Sequence, residues 1–160
     1  GAPLPTLASG KETSGEKETL RQFGNALGSA LAPVANDAFA EKGRVLLEKT
    51  IGARDAETFR ALVPLLLAYE EVRNSIAKIS PPASGMELTD ALEKSYGQLS
   101  AAIASLAEGA VTPEELGKHW VAYSDAVIAM GKALNETIGF FLERGVHFAQ
   151  DEPGAIFALP

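Results

Sequence analysis

The 160 residues include two histidines, His119 and His147, and any acid–base chemistry near neutral pH starts with them. His119 follows Glu115 by one helical turn, so the pair can share a face and offer two metal ligands. A dimetal bundle needs a Glu-x-x-His pair on each of two helices plus further carboxylates, and that pattern does not occur. Ser124 and Asp125 lie near His119 and complete the residue types of an acyl-transfer triad. Ser124, however, falls in a regular helical pattern, with no nucleophile elbow and no glycine pair to frame an oxyanion hole. There is no GxxxxGKS loop, no GxGxxG between a strand and a helix, and no HExxH. Glu70 and Glu71 with Arg73 read as an intra-helical charge set. The sequence therefore specifies no catalytic group, no cofactor and no metal, and the chain reads as a protein that is not an enzyme.

Polar residues set beside apolar lines carry more information. Asn25 lies between Gly24 and Gly28, while Asn135 and Thr137 come late in the last helical pattern. At a helix seam such side chains fix register by an inter-helix hydrogen bond, or they point into a small-molecule pocket. Gly24 and Gly28 each cost about 1 kcal/mol in a soluble helix relative to alanine, which a close backbone approach by another helix can offset. His119 with Trp120 reads as a rim pair, and Phe157 as an apolar anchor. Gly24, Asn25, Gly28, His119, Trp120 and Phe157 are thus the candidate packing and interaction residues.

Four long amphipathic patterns position them. The first begins near Thr13, with Glu16 as capping-box partner, and carries Leu20, Phe23, Leu27 and Leu31. Pro33 should kink this helix or make it restart, and its second half runs to Gly52. Asp55 reads as the next N-cap, with Pro64 bending the second helix and Ser80-Pro81-Pro82 stopping it. Ser84 with Glu87 gives a capping box for the third, which Gly109 closes. The fourth, Thr112 to Gly145, opens on Thr112-Pro113 with Glu115 behind. Its apolar stripe is Leu116, Trp120, Tyr123, Val127, Met130, Leu134, Ile138 and Phe141. Short connections imply an all-α, antiparallel up-down-up-down four-helix bundle over residues 14–145. Residues 1–13 read as a flexible linker or leader. Residues 146–160 hold a Pro-Gly turn and four large apolar residues, so they read as a non-helical tail packed on the bundle.

A hydrophobic share of 46% supports a folded core, and 160 residues suit a single domain. A net charge of -7 argues against nucleic acid and against anionic lipid as partners. No apolar run is long enough to span a bilayer, so this segment does not insert. The first residue is Gly1 rather than methionine, and an anchor or signal segment upstream is therefore expected to have been removed.

The run Leu20-Arg21-Gln22-Phe23-Gly24-Asn25-Ala26-Leu27-Gly28 holds an aromatic-Gly-Asn-x-Leu-Gly motif behind a Pro/Ser/Thr-rich leader. It resembles membrane-anchored, extracytoplasmic helical proteins of unassigned function from ultra-small, largely uncultured bacterial lineages. The similarity extends to the Tyr69 region, the Ile79-Ser80-Pro81-Pro82 break and the helix near Met86. Where that family often carries a histidine, this chain reads Ser84-Gly85-Met86-Glu87-Leu88. The resemblance implies a periplasmic or cell-surface location and a protein partner in the cell envelope. The resulting expectation is a structural or interaction module of an envelope assembly, associated with a pilus or secretion system. The alternative is a helical bundle that senses a small molecule.

Overall fold

Threonine oxygens start both of the sharply marked helices. In the computed structural model, which describes residues 13–53, 56–108 and 112–158, Thr13 Oγ1 accepts from the Glu16 N–H at 3.2 Å. Thr112 Oγ1 accepts from the Glu115 N–H at 3.1 Å. All regular structure among the described residues is helical: α1 (Ser14–Leu31), α2 (Asp37–Ala53), α3 (Ala56–Arg60), α4 (Val63–Ala77), α5 (Met86–Ala107) and α6 (Pro113–Glu143). Two 3₁₀ turns, Ala83–Gly85 and Pro153–Phe157, complete the set. At about 1.5 Å per residue, α6 is a rod of about 46 Å. No described helix is long and apolar enough to cross a membrane. The leader up to residue 12, Asp55, Gly109 and the last two residues of the tail lie outside the described residues.

Proline placement divides the chain more finely than the apolar pattern does. Pro33 does not kink one continuous helix: α1 stops at Leu31, and the chain turns before α2 starts at Asp37. Asn36 makes the restart possible, because its Oδ1 accepts from the Phe39 N–H at 2.8 Å. Pro64 does not bend a helix either. It sits in the first turn of α4, where a proline needs no N–H partner, and a short α3 precedes it. Ser84 and Glu87 form no capping box. Ser84 lies in the 3₁₀ turn, and α5 opens from Gly85, whose backbone packs on the Phe23 ring.

The main core joins Leu20, Phe23, Leu27 and Leu31 of α1 to Val72 and Ile76 of α4, Leu92, Tyr96 and Leu99 of α5, and Phe140 and Phe141 of α6. A second cluster joins Phe59, Leu62 and Leu65 to Ile103 and Leu106. α4 and α5 pack along one another, as do α5 and α6. The α5–α6 seam uses small side chains, with Ala102, Ala126 and Ala133 buried. Thr137 is buried there too, but its hydroxyl donates to Ala133 O at 2.7 Å within its own helix, and Asn135 is exposed. Neither residue makes the inter-helix bond that its position suggested.

Gly145 ends α6 with a φ of 65°. The Val146 N–H reaches back to Phe141 O at 3.0 Å, the bond that closes a left-handed helix cap. The chain after it then crosses α1 as a strap, whose Phe157 ring lies 5.6 Å from that of Phe141. The strap fits because α1 presents Gly24 and Gly28. A Cβ on Gly24 would lie 2.3 Å from Phe148 Cζ, and one on Gly28 would lie 2.1 Å from the Pro153 carbonyl oxygen.

Gly28→Ala should therefore lower stability by about 1–3 kcal/mol, because the obstructing atom is backbone. Gly117→Ala, on an open face of α6, should be neutral or stabilising by up to about 1 kcal/mol. Urea unfolding of the two variants beside the parent tests the contrast, and equal midpoints would remove the close-approach account of the strap.

Candidate functional site

Small residues at the α5–α6 seam have a consequence for the large ones on α6. The helix buries Ala126, Ala133, Thr137, Phe140 and Phe141, while Trp120, Tyr123, Val127, Met130, Leu134 and Ile138 are only half-buried. Most of the stripe expected to fill the core thus faces outward from α5. It forms one wall of a cavity of about 610 Å³. From Trp120 to Ile138 this wall runs about 27 Å along the helix.

The opposite wall is α2. Phe39, Ala40, Gly43, Arg44, Leu47 and Glu48 line the cavity from one face of that helix. Its bulky apolar residues stand toward the two ends and its smallest, Gly43, near the middle, so α2 bridges the space instead of filling it. The α2 backbone packs against α3, and side chains add further contacts, such as the Phe39 ring edge on Tyr69 at 5.6 Å. Leu65 and Tyr69 of α4 and Tyr96 of α5 form the floor. Leu31 and Val34 meet Ile156 and Phe157 of the strap at one end.

All three tyrosines of the chain and its one tryptophan line this cavity. Tyr69 and Tyr96 lie with ring centres 6.1 Å apart, and the Trp120 ring stands edge-on to Tyr123 at 5.8 Å. None of the three hydroxyls is hydrogen-bonded to a described residue, although Tyr96 is only 3% exposed. Among the described residues no sealed side-chain oxygen or nitrogen lacks a partner, so each of these hydroxyls keeps some accessible surface. Burial holds the Tyr69 phenol up at about 12 and raises those of Tyr96 and Tyr123 as well, with the neighbouring phenols adding to the effect at Tyr69 and Tyr96. All three are therefore neutral O–H groups at physiological pH. Charge is confined to the α2 rim, where Arg44 donates to Glu48 at 2.7 Å and to Glu41 at 2.5 Å.

The residues singled out from sequence divide into two places. Trp120 and Phe157 belong to the cavity wall. Gly24, Asn25 and Gly28 hold the strap, where Asn25 Nδ2 donates to Glu152 at 3.0 Å and the Gly154 N–H donates to Asn25 Oδ1 at 2.8 Å. Arg21 Nε donates to both Glu152 oxygens, at 3.0 and 2.9 Å, and its Nη2 joins them. His119 is half-buried beside Trp120 but does not line the cavity, and His147 is exposed on the strap. Ser124 and Asp125 lie on the exposed side of α6. Among the described residues no three metal-ligating side chains converge. Sequence reasoning missed the tyrosines as a group. The signal it passed over was that every tyrosine in the chain falls on an inward apolar stripe.

No protein-family model, curated protein or solved structure matches this chain.

Bonds from Arg21 and Asn25 hold the Glu152 carboxyl down at about 2, well below its ordinary value. A depressed carboxylate adds stability above its unfolded value of about 4.3, and that stability is lost as the pH falls toward 2. Glu152→Gln should lower the urea midpoint at pH 7, and its difference from the parent should shrink steadily below about pH 4.5. A difference that stays constant down to pH 2.5 would show that the carboxylate charge is not what fastens the strap.

Proposed function

We propose that this domain is a small-molecule-binding helical bundle that takes up an apolar molecule between α2 and the α4–α6 helices. The observation that carries this reading is the gathering of every tyrosine and the sole tryptophan around one 610 Å³ space, with three hydroxyls lacking protein partners. Small-molecule sites fall at about 300–1,000 Å³ and combine apolar walls with a few convergent polar groups. The work is binding rather than turnover, since the cavity lining offers phenols and one ion pair but no histidine or activated nucleophile. In the same reading α1, α4, α5 and α6 make an up-down-up-down four-helix frame, and α2 with α3 forms its cover. The extracytoplasmic location, an upstream anchor and a protein partner in the envelope are carried by the motif resemblance and belong to this proposal.

A second reading, the structural or contact module of an envelope assembly associated with a pilus or secretion system, is favoured by the outer face of α6. Val121, Ile128 and Leu142 are 61%, 70% and 55% exposed there, at steps of seven and fourteen residues with the polar Asn135 between the last two. That spacing keeps apolar side chains on one side of a helix, as a helical partner requires.

Gly43 separates the two readings. Its position would place a Cβ 3.6 Å from Leu65 Cδ2, an ordinary contact, so a Cβ is tolerated there and a longer side chain would have to take up space that belongs to the cavity. Titration of the parent with apolar dyes and lipids should raise the melting temperature by about a few degrees, since a ligand bound only by the native state stabilises it by mass action. Gly43→Leu should melt at or above the parent temperature and lose that response. If the parent shows no response, while replacing Val121 and Ile128 by Lys abolishes protein crosslinks, the contact reading takes over.

A further inference from the structure

We infer that the occupant is an uncharged, elongated apolar molecule with one hydrogen-bond-accepting oxygen (a ketone, ester or amide carbonyl) near one end, placed at the tyrosines with its chain running toward the strap. This inference rests on the ligand-binding reading and specifies what enters the cavity.

The polar groups are unevenly distributed along the trough. Tyr123 follows Trp120 by one turn on α6, and Tyr69 and Tyr96 stack beside it, so the hydroxyls gather toward the Trp120 end. From Val127 to Ile138, and on to Ile156 of the strap, the lining offers only carbon and one methionine sulfur. An occupant must match both parts. Its polar atom belongs among the phenols, and a chain without polar atoms belongs on the remaining α6 wall, because a polar group left there would lose its hydrogen bonds to water without replacement.

The chemistry of the polar atom follows from the donors. A phenol that has no partner offers its O–H first, so an oxygen that accepts satisfies it directly. Charge is selected against. The charged lining residues are Arg44 and Glu48, and Arg44 is already shared between Glu41 and Glu48. The rim thus carries two carboxylates to one guanidinium. A bound carboxylate would be taken out of water against that excess with no free cation among the lining residues, and phenol hydrogen bonds alone do not offset such a transfer.

The test uses the intact chain and three probes of matched length: 2-pentadecanone, pentadecanoate at pH 8 and pentadecane, each below its aggregation limit. Trp120 is the sole tryptophan and lines the cavity, so its emission reports occupancy directly. The ketone should bind at least about tenfold more tightly than the carboxylate and about tenfold more tightly than the alkane. The triple variant Tyr69→Phe, Tyr96→Phe, Tyr123→Phe keeps all three rings and should bring ketone affinity down to that of the alkane. Pentadecanoate binding as tightly as the ketone would overturn the uncharged class and leave a ligand-binding cavity standing. Equal affinity of ketone and alkane for the parent would overturn the phenol-to-oxygen contact. If no probe changes Trp120 emission or the melting temperature, the ligand-binding reading and this inference fall together.

Discussion

How closely α5 and α6 approach decides where every large side chain of α6 can go. Helix axes separate by 8–10 Å according to the side chains between them, and alanine places them near the short limit. With Ala102 on α5 and Ala126 and Ala133 on α6 all buried, the two rods meet along a line of methyl groups. The row from Trp120 to Ile138 is then rotated out of that seam. Water cannot be its only neighbour at reasonable cost, since each large apolar side chain left exposed forgoes about 1.5–3 kcal/mol. The loop after α1, the α2 cover and the strap are the elements left to meet it. All three carry residues that line the cavity.

Attachment of the strap is a problem of backbone approach solved on α1. Two glycines one turn apart remove the side chains that would hold the strap off, and Asn25 between them satisfies both a strap N–H and the Glu152 carboxylate. Arg21 stands on the other side of that carboxylate and is 41% exposed, so water screens the charge pair. The contribution of the cluster therefore lies in geometry more than in Coulomb energy: several directed bonds fix one register of strap on helix. Phe148, Phe157 and Phe141 then complete an aromatic stack beneath. The motif Phe23-Gly24-Asn25-x-Leu27-Gly28 is accordingly a receptor for the chain's own C-terminal segment, with Phe23 and Leu27 turned into the core.

Local chemistry explains what could be read from the sequence and what could not. Both threonine caps were legible because the signal and the structure involve the same four residues. The strap was legible in part: Phe148 and Phe157 are covered, but Ile156 is exposed and Leu159 lies outside the described residues. The segment expected to be non-helical holds a 3₁₀ turn at Pro153–Phe157. Proline was ambiguous, since one residue type serves to break a helix or to begin one. Pro64 begins α4, and what decides this is the tertiary burial of Phe59 and Leu62 on either side of the break, which no local pattern contains. Ser84 failed as a cap because the Phe23 ring, remote in sequence, occupies the surface where α5 starts. The α6 stripe was legible as one face, but the sequence named no neighbour for it, and the structure leaves most of it half-buried. Periodicity fixes which residues share a face, while the identity of the facing helix depends on the alanines beside them. For the site, Trp120 and Phe157 were recognised as single apolar residues, but the convergence of three tyrosines from three helices is a property of packing alone.

The form of α2 is what turns an uncovered stripe into a cavity rather than a collapsed core. A cover with large residues along its whole inner face would interdigitate with α6 and expel the space, as close-packed interiors do. Here Phe39 and Leu47 make contact toward the ends while Ala40 and Gly43 leave the middle low. Pressing the middle down would require the α2 axis to bend, and bends come from prolines, bulges or inserted groups rather than from smooth rods. Arg44, tied to Glu41 and Glu48 at 2.5 and 2.7 Å, further staples α2 along its length over the same stretch. Shifting α2 as a rigid body would instead pull the Phe39 ring from Tyr69 at one end or Leu47 from its cluster at the other. The space is thus maintained by the stiffness of the cover and by two separated supports.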